Sequence, residues 1–136
     1  ILVISNEVGN YAVERCLIVE GRSISFPPPV GRAAAEFDFP LQFRSSGEVT
    51  VVDWDADALG KDVAVLSAPL AACGRLGSEK VRAVVYIEPG GVVGSVGLTS
   101  AGPVDPVAGI CVVEQVRKWK LRDDRAHVVR TSFAVP

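Results

Sequence analysis

Two hydrophobic periods alternate along the chain, and both occur in a fixed succession. Lys80-Val81-Arg82-Ala83-Val84-Val85-Tyr86-Ile87 is β-branched and apolar, and Glu88-Pro89-Gly90-Gly91 after it has turn chemistry. Val92-Val93 then starts a returning segment, so this stretch predicts a β-hairpin. Next, Asp105 stands where a helix cap belongs and Pro106 suits a first turn. Val107, Ile110, Cys111 and Val113 form an apolar stripe that predicts a helix to about Lys118. Val129, Thr131, Phe133 and Val135 alternate with polar positions, the mark of a half-buried strand. Upstream, Val49 to Trp54 reads as a strand and Val63 to Leu76 as a helix containing Cys73, with Pro69 in its first turn and Ser67 as a candidate cap. From this helix onward the order is helix, strand, strand, helix, strand.

Part of that order is present a second time nearer the N-terminus. Setting Cys16 on Cys111 without gaps pairs Ile1-Leu2-Val3-Ile4-Ser5 with Val96-Gly97-Leu98-Thr99-Ser100, and Asn10 with Asp105, a second cap position. A helix from Tyr11 to about Glu20 follows, with Val13, Cys16, Leu17 and Glu20 on one face and Gly21 as its stop. Cys16 and Cys111 both fall on the side expected to be buried. Six residues beyond each cysteine is an arginine, Arg22 or Arg117, and ten beyond is an apolar residue, Phe26 or Leu121. With three residues deleted, Phe37, Phe39, Leu41 and Phe43 overlie the Val129 to Val135 alternation and predict another strand. Arg44-Ser45-Ser46-Gly47-Glu48 has linker composition and places a boundary near Gly47. The chain thus divides into residues 1–46, the C-terminal half of a first unit, and residues 47–136, a complete second unit, in an α+β class with tandem repeats.

Composition narrows the function. With 136 residues and 49% hydrophobic content the chain can build a real core. No run reaches the roughly 18 apolar residues of a membrane span, and no signal-peptide pattern is present. Methionine is absent and the sequence starts at Ile1, so it is expected to be a piece of a longer precursor. Fourteen basic and sixteen acidic residues give a net charge of −2, far from the balance of a nucleic-acid binder. The three cysteines, Cys16, Cys73 and Cys111, lack the close pairs of a zinc site. They allow one disulfide and a leftover thiol, or three reduced thiols, and composition does not choose between these.

The string Val8-Gly9-Asn10-Tyr11-Ala12-Val13-Glu14-Arg15-Cys16, continuing through Arg22, Phe26-Pro27 and Phe37 to Phe43, resembles the C-terminal domain of the TonB superfamily, in the branch named after AgmX and PglI. In the second unit the likeness lies in Leu70 to Cys73, Val81 to Val93 with Gly91, and Cys111 to Leu121 with Trp119. The resemblance implies TonB-like small domains, with helices packed on one face of an antiparallel sheet, that contact other envelope proteins at the periplasm or surface of a bacterium. It implies no catalytic residues and no cofactor. It also implies a disulfide between Cys73 and Cys111, and a partner for Cys16 in the upstream half of the first unit. The second unit departs from the pattern in having Leu121-Arg122 instead of Phe-Pro after its helix.

Other chemistry finds little support in the residues. Asp53, Asp55 and Asp57 alternate, but no distal glutamate completes a calcium loop, and a solvated strand edge explains them. Gly90 to Gly97 is glycine-rich, yet it runs on as β-branched strand rather than opening a helix, which rejects a phosphate loop. His127, the only histidine, has no nucleophile beside it in sequence. Arg117, Lys118, Trp119, Lys120 and Arg122, with Arg125 close by, form the one basic cluster. Either Trp119 anchors a partner there or it plugs the core beneath solvated cations, and the second reading weighs more. The closing strands are also candidates to accept a partner strand, with Pro40 weakening the first. The expected function is a non-enzymatic protein-interaction module of transport or motility type. The alternative is a structural subunit, completed by another chain and so oligomeric.

Overall fold

The computed structural model describes residues 8–31, 38–42, 50–54, 56–77, 80–122 and 126–136, with backbone alone at 56–59. Two helices start by the same device. Asn10 is extended, and its Oδ1 accepts from the Ala12 and Val13 amides at 3.1 and 3.3 Å, opening α1 (Tyr11–Ser23). Asp105 Oδ1 accepts from Val107 and Ala108 at 3.0 and 2.8 Å, opening α3 (Pro106–Val116). Each side chain satisfies first-turn amides that have no partner inside the helix.

Between these helices run β1 (Val51–Asp53), α2 (Ala56–Ser67), a 3-10 helix (Ala68–Cys73), β2 (Arg82–Glu88) and β3 (Val92–Thr99), and β4 (Val128–Ala134) closes the chain. The helix expected over residues 63–76 therefore starts earlier and changes type. Pro69 lacks an amide hydrogen and its ring crowds the preceding turn, so the α-helix ends at Ser67 and tighter turns take over. Ser67 caps nothing; its hydroxyl donates back to the Ala64 carbonyl at 3.3 Å.

The four strands form one sheet in the order β1-β4-β2-β3. β2 pairs antiparallel with both β3 and β4, as expected of the second unit. β1 pairs parallel with β4, so the sheet is mixed rather than antiparallel. No tight turn joins these two strands, and nothing obliges them to run in opposite directions.

One face of the sheet makes the core. Ala83, Val85 and Ile87 of β2 share a buried cluster with Val96 and Leu98 of β3, Val129 and Phe133 of β4, and Leu70, Val112 and Val116 from the helical layer. Complete burial of side chains such as Leu70, Ile87 and Val112 contributes roughly 1.5–3 kcal/mol each. α3 turns Ala108, Val112 and Val116 inward, while Val107 is 77% exposed and Ile110 is also exposed. The buried stripe thus differs from the one expected through Val107 and Ile110, because steps of four residues from Ala108 point at the sheet. Trp119, just past the helix, stacks on Phe133 with ring centroids 5.1 Å apart.

A disulfide joins Cys73 to Cys111, with their Cα atoms 5.5 Å apart, and fastens the 3-10 helix to α3. Cys16 is exposed, contrary to the burial expected of it, since α1 turns Tyr11 and Glu14 inward instead. Tyr11 joins the same buried cluster as the side chains of β2, β3, β4 and α3. Residues 38–42 form no strand, and Phe39 is 74% exposed. Pro40 removes a ladder donor there. The expected strand 1–5 and the boundary near Gly47 lie outside the described residues.

At the hairpin tip, Gly91 has φ +81° and its carbonyl accepts from the Leu121 amide at 2.8 Å. A Cβ at Gly91 would meet the Leu121 carbonyl oxygen. Gly91→Ala is expected to cost about 2 kcal/mol or more, read as a lowered urea midpoint, since both the backbone conformation and the space are refused. Reducing the Cys73–Cys111 bond, or replacing both residues by serine, is expected to cost about 3–4 kcal/mol for a loop of this separation, 38 residues. Urea melts with and without reductant measure that difference.

Candidate functional site

An open sheet has two outer margins, and each presents backbone groups that a neighbouring chain can pair with. On the β3 side α1 caps the margin at Leu98. Glu14 is 4% exposed and its carboxylate Oε2 accepts from the Leu98 amide at 3.1 Å, taking the place of a strand neighbour. The Tyr11 ring seats against α3 at Gly109, where any Cβ would strike the phenol. Burial raises the pKa of that phenol, partly offset by the nearby Arg15 charge. Just before the helix, Gly9 lies against the Tyr86 ring.

The β4 side is closed only in part. β1 covers Val128 to Arg130 and no further. The Trp54 amide donates to the Arg130 carbonyl at 2.7 Å, and α2 starts at Ala56. On the sheet face away from the core, Arg130 Nε donates to Asp53 Oδ1 at 2.8 Å, and Arg130 also hydrogen-bonds the Tyr86 side chain. The bond to Asp53 holds the Arg130 guanidinium above its ordinary pKa, with desolvation opposing and Tyr86 assisting. Asp53 therefore serves to hold β1 to the sheet.

Beyond Arg130 the direction of the backbone groups follows from alternation along a strand. The Arg130 carbonyl points to the β1 side, and the Val135 amide points to β2, donating to Val81 at 2.9 Å. Ser132 and Ala134 therefore direct their amides and carbonyls outward, where β1 no longer runs. A cleft of about 280 Å³ lies along this stretch, walled by Gly60 and Val63 of α2 and floored by Thr131 to Ala134. At its rim Arg82 Nη2 donates to Ser132 Oγ at 2.8 Å and to the Ser132 carbonyl at 3.3 Å.

The basic cluster divides. Arg117, Lys118, Lys120 and Arg122 are exposed, whereas Trp119 is buried and stacked on Phe133, so it offers a partner nothing. The Trp119 amide donates to the Val116 carbonyl at 3.0 Å, a tight turn that folds the indole back into the core. His127 is exposed. Of the two closing strands expected as edges, β4 forms and residues 38–42 of the other are not strand; among the described residues no strand covers β4 beyond Arg130. Arg82 and the cleft were not singled out from the sequence. Alternation over residues 80–87 puts Arg82 on the face away from the core, but nothing local reveals that it reaches across to Ser132.

Among the described residues no group of His, Cys, Asp and Glu could hold a metal ion, and no helix is long and apolar enough to cross a membrane. No protein-family model matches the chain, nor does any curated protein or solved structure.

Glu14→Ala is expected to expose the β3 margin. It leaves the buried Leu98 amide without its acceptor, at a cost of about 1–3 kcal/mol. Hydrogen exchange at Leu98 is the readout, and it should accelerate while the amides of Val85 and Val129 in the sheet keep most of their protection.

Proposed function

We propose that the chain is a non-enzymatic protein-interaction module of a bacterial envelope protein, TonB-like in kind, which receives an extended segment of a partner along the outer side of β4. The observation that carries this reading is the asymmetry of the sheet. Glu14 of α1 caps one margin at the Leu98 amide, while among the described residues no strand pairs with the other from Ser132 to Ala134, beside a cleft. Outward backbone groups supply affinity without regard to sequence, and the side chains around them supply selection. A half-buried disulfide between two helical elements fits an oxidising, extracytoplasmic compartment.

One observation favours the alternative of a structural subunit completed by another chain. Cys16 is exposed on α1 beside a shallow surface lined by Ala12, Arg15 and Val19, and Val19 is 60% exposed. A photo-crosslinking residue placed at position 134, and separately at position 19, distinguishes the two readings in envelope preparations. A discrete heterologous adduct from position 134 alone supports the binding module. An adduct from position 19 alone supports the subunit, and adducts from neither overturn both.

A further inference from the structure

We infer that the cleft beside β4 selects an extended segment of another protein carrying an aspartate or glutamate side chain, and that Arg82 is the receptor for its carboxylate. The inference rests on the binding-module reading and adds the chemistry of what is bound.

A strand already lying on β4 shows the principle. Asp53 of β1 stands opposite Arg130, on the face away from the core, and its carboxylate meets that guanidinium at 2.8 Å. Side chains recur on one face every second residue. A segment prolonging the line of β1 would therefore place its next side chain on that face opposite Ser132. The Arg82 guanidinium is held at this position by the Ser132 hydroxyl and carbonyl. Arg130 has a carboxylate; Arg82, among the described residues, contacts only neutral acceptors. Its planar fork carries five N–H donors, and both contacts to Ser132 use one nitrogen, which leaves donors for a carboxylate.

The dimensions suit a length of chain. From Thr131 to Ala134 the floor spans about 10 Å of strand. Its volume of about 280 Å³ falls just under the range of roughly 300–1,000 Å³ typical of small-molecule pockets. A second copy of this chain is the poorer occupant. Pairing the margin with itself about a two-fold axis would bring two Arg82 guanidinium groups together with no carboxylate between them, and like charges facing each other across strands are unfavourable.

The test selects a random peptide library displayed on phage against the intact protein, then titrates synthetic winners into 15N-labelled protein. Three variants serve as controls: Arg82→Gln, Arg82→Lys and Ala134→Pro. In the last, proline removes only an outward amide and leaves the ladder to β2 whole. Thermal melts check that each variant folds. The expected result is enrichment of Asp or Glu, shifts at the Ser132 and Ala134 amides, and loss of binding in Ala134→Pro. Affinity should fall on the order of tenfold with Arg82→Gln or with the peptide carboxylate changed to its amide, and the two losses should not add. Arg82→Lys should retain part of the affinity.

Winners that shift Ser132 and Ala134 but lack an acid, or that ignore Arg82→Gln, overturn the carboxylate inference and leave the module reading standing. Winners indifferent to Ala134→Pro, or no winners, overturn both. Self-association seen by sedimentation and abolished by Ala134→Pro overturns the inference in favour of a second copy.

Discussion

Backbone amides and carbonyls at the margins of a sheet have to be satisfied by something, and this constraint organises the whole molecule. At β3 a helix running beside the strand answers it with a side chain: the Glu14 carboxylate receives the Leu98 amide where a neighbouring strand's carbonyl would otherwise stand. At β4 a strand of three residues answers it for half the length. The different answers make the two sides structurally unequal. A carboxylate buried under a helix is costly to displace, because the amide it leaves would be orphaned in the interior. Along Ser132 to Ala134 no strand pairs with β4 among the described residues, and the Ser132 carbonyl accepts from the Arg82 guanidinium instead.

The core explains why the margins sit where they do. Ala83, Val85 and Ile87 of β2 lie at the centre of the buried face, between β3 and β4, so β2 cannot be an outer strand. α3 packs over this face through Ala108, Val112 and Val116 and meets the 3-10 helix at the cystine. The chain leaving α3 is anchored twice: Trp119 stacks on Phe133, and the Leu121 amide bonds to the Gly91 carbonyl. The basic residues around Trp119 are outside because their neighbour is inside.

What the sequence disclosed follows the range of the interactions involved. Caps are local, and Asn10 and Asp105 announce both helix starts within a few residues. The hairpin is local too, with Pro89, Gly90 and Gly91 dictating its turn. Pro69 falls in the first turn of the 3-10 helix, whereas α2 starts before the residues whose periodicity marks a helix, since the acidic run from Asp53 to Asp57 resembles a strand margin more than a helix start. Over residues 38–42, hydrophobic alternation predicted a strand where none forms. Alternation states that a segment could bury one face; it cannot supply the neighbouring strand. The site was least legible, because it consists of Arg82 from β2, the wall of α2 and the open half of β4, which are brought together only by pairing across the sheet.

The cystine has a mechanical consequence for the cleft. α2, which forms its wall, passes directly into the 3-10 helix, and that helix is bolted to α3 through Cys73. One end of the cleft wall is therefore tied covalently to the helix that packs over the core. A wall tethered at one end has less conformational freedom to lose when another segment packs against it.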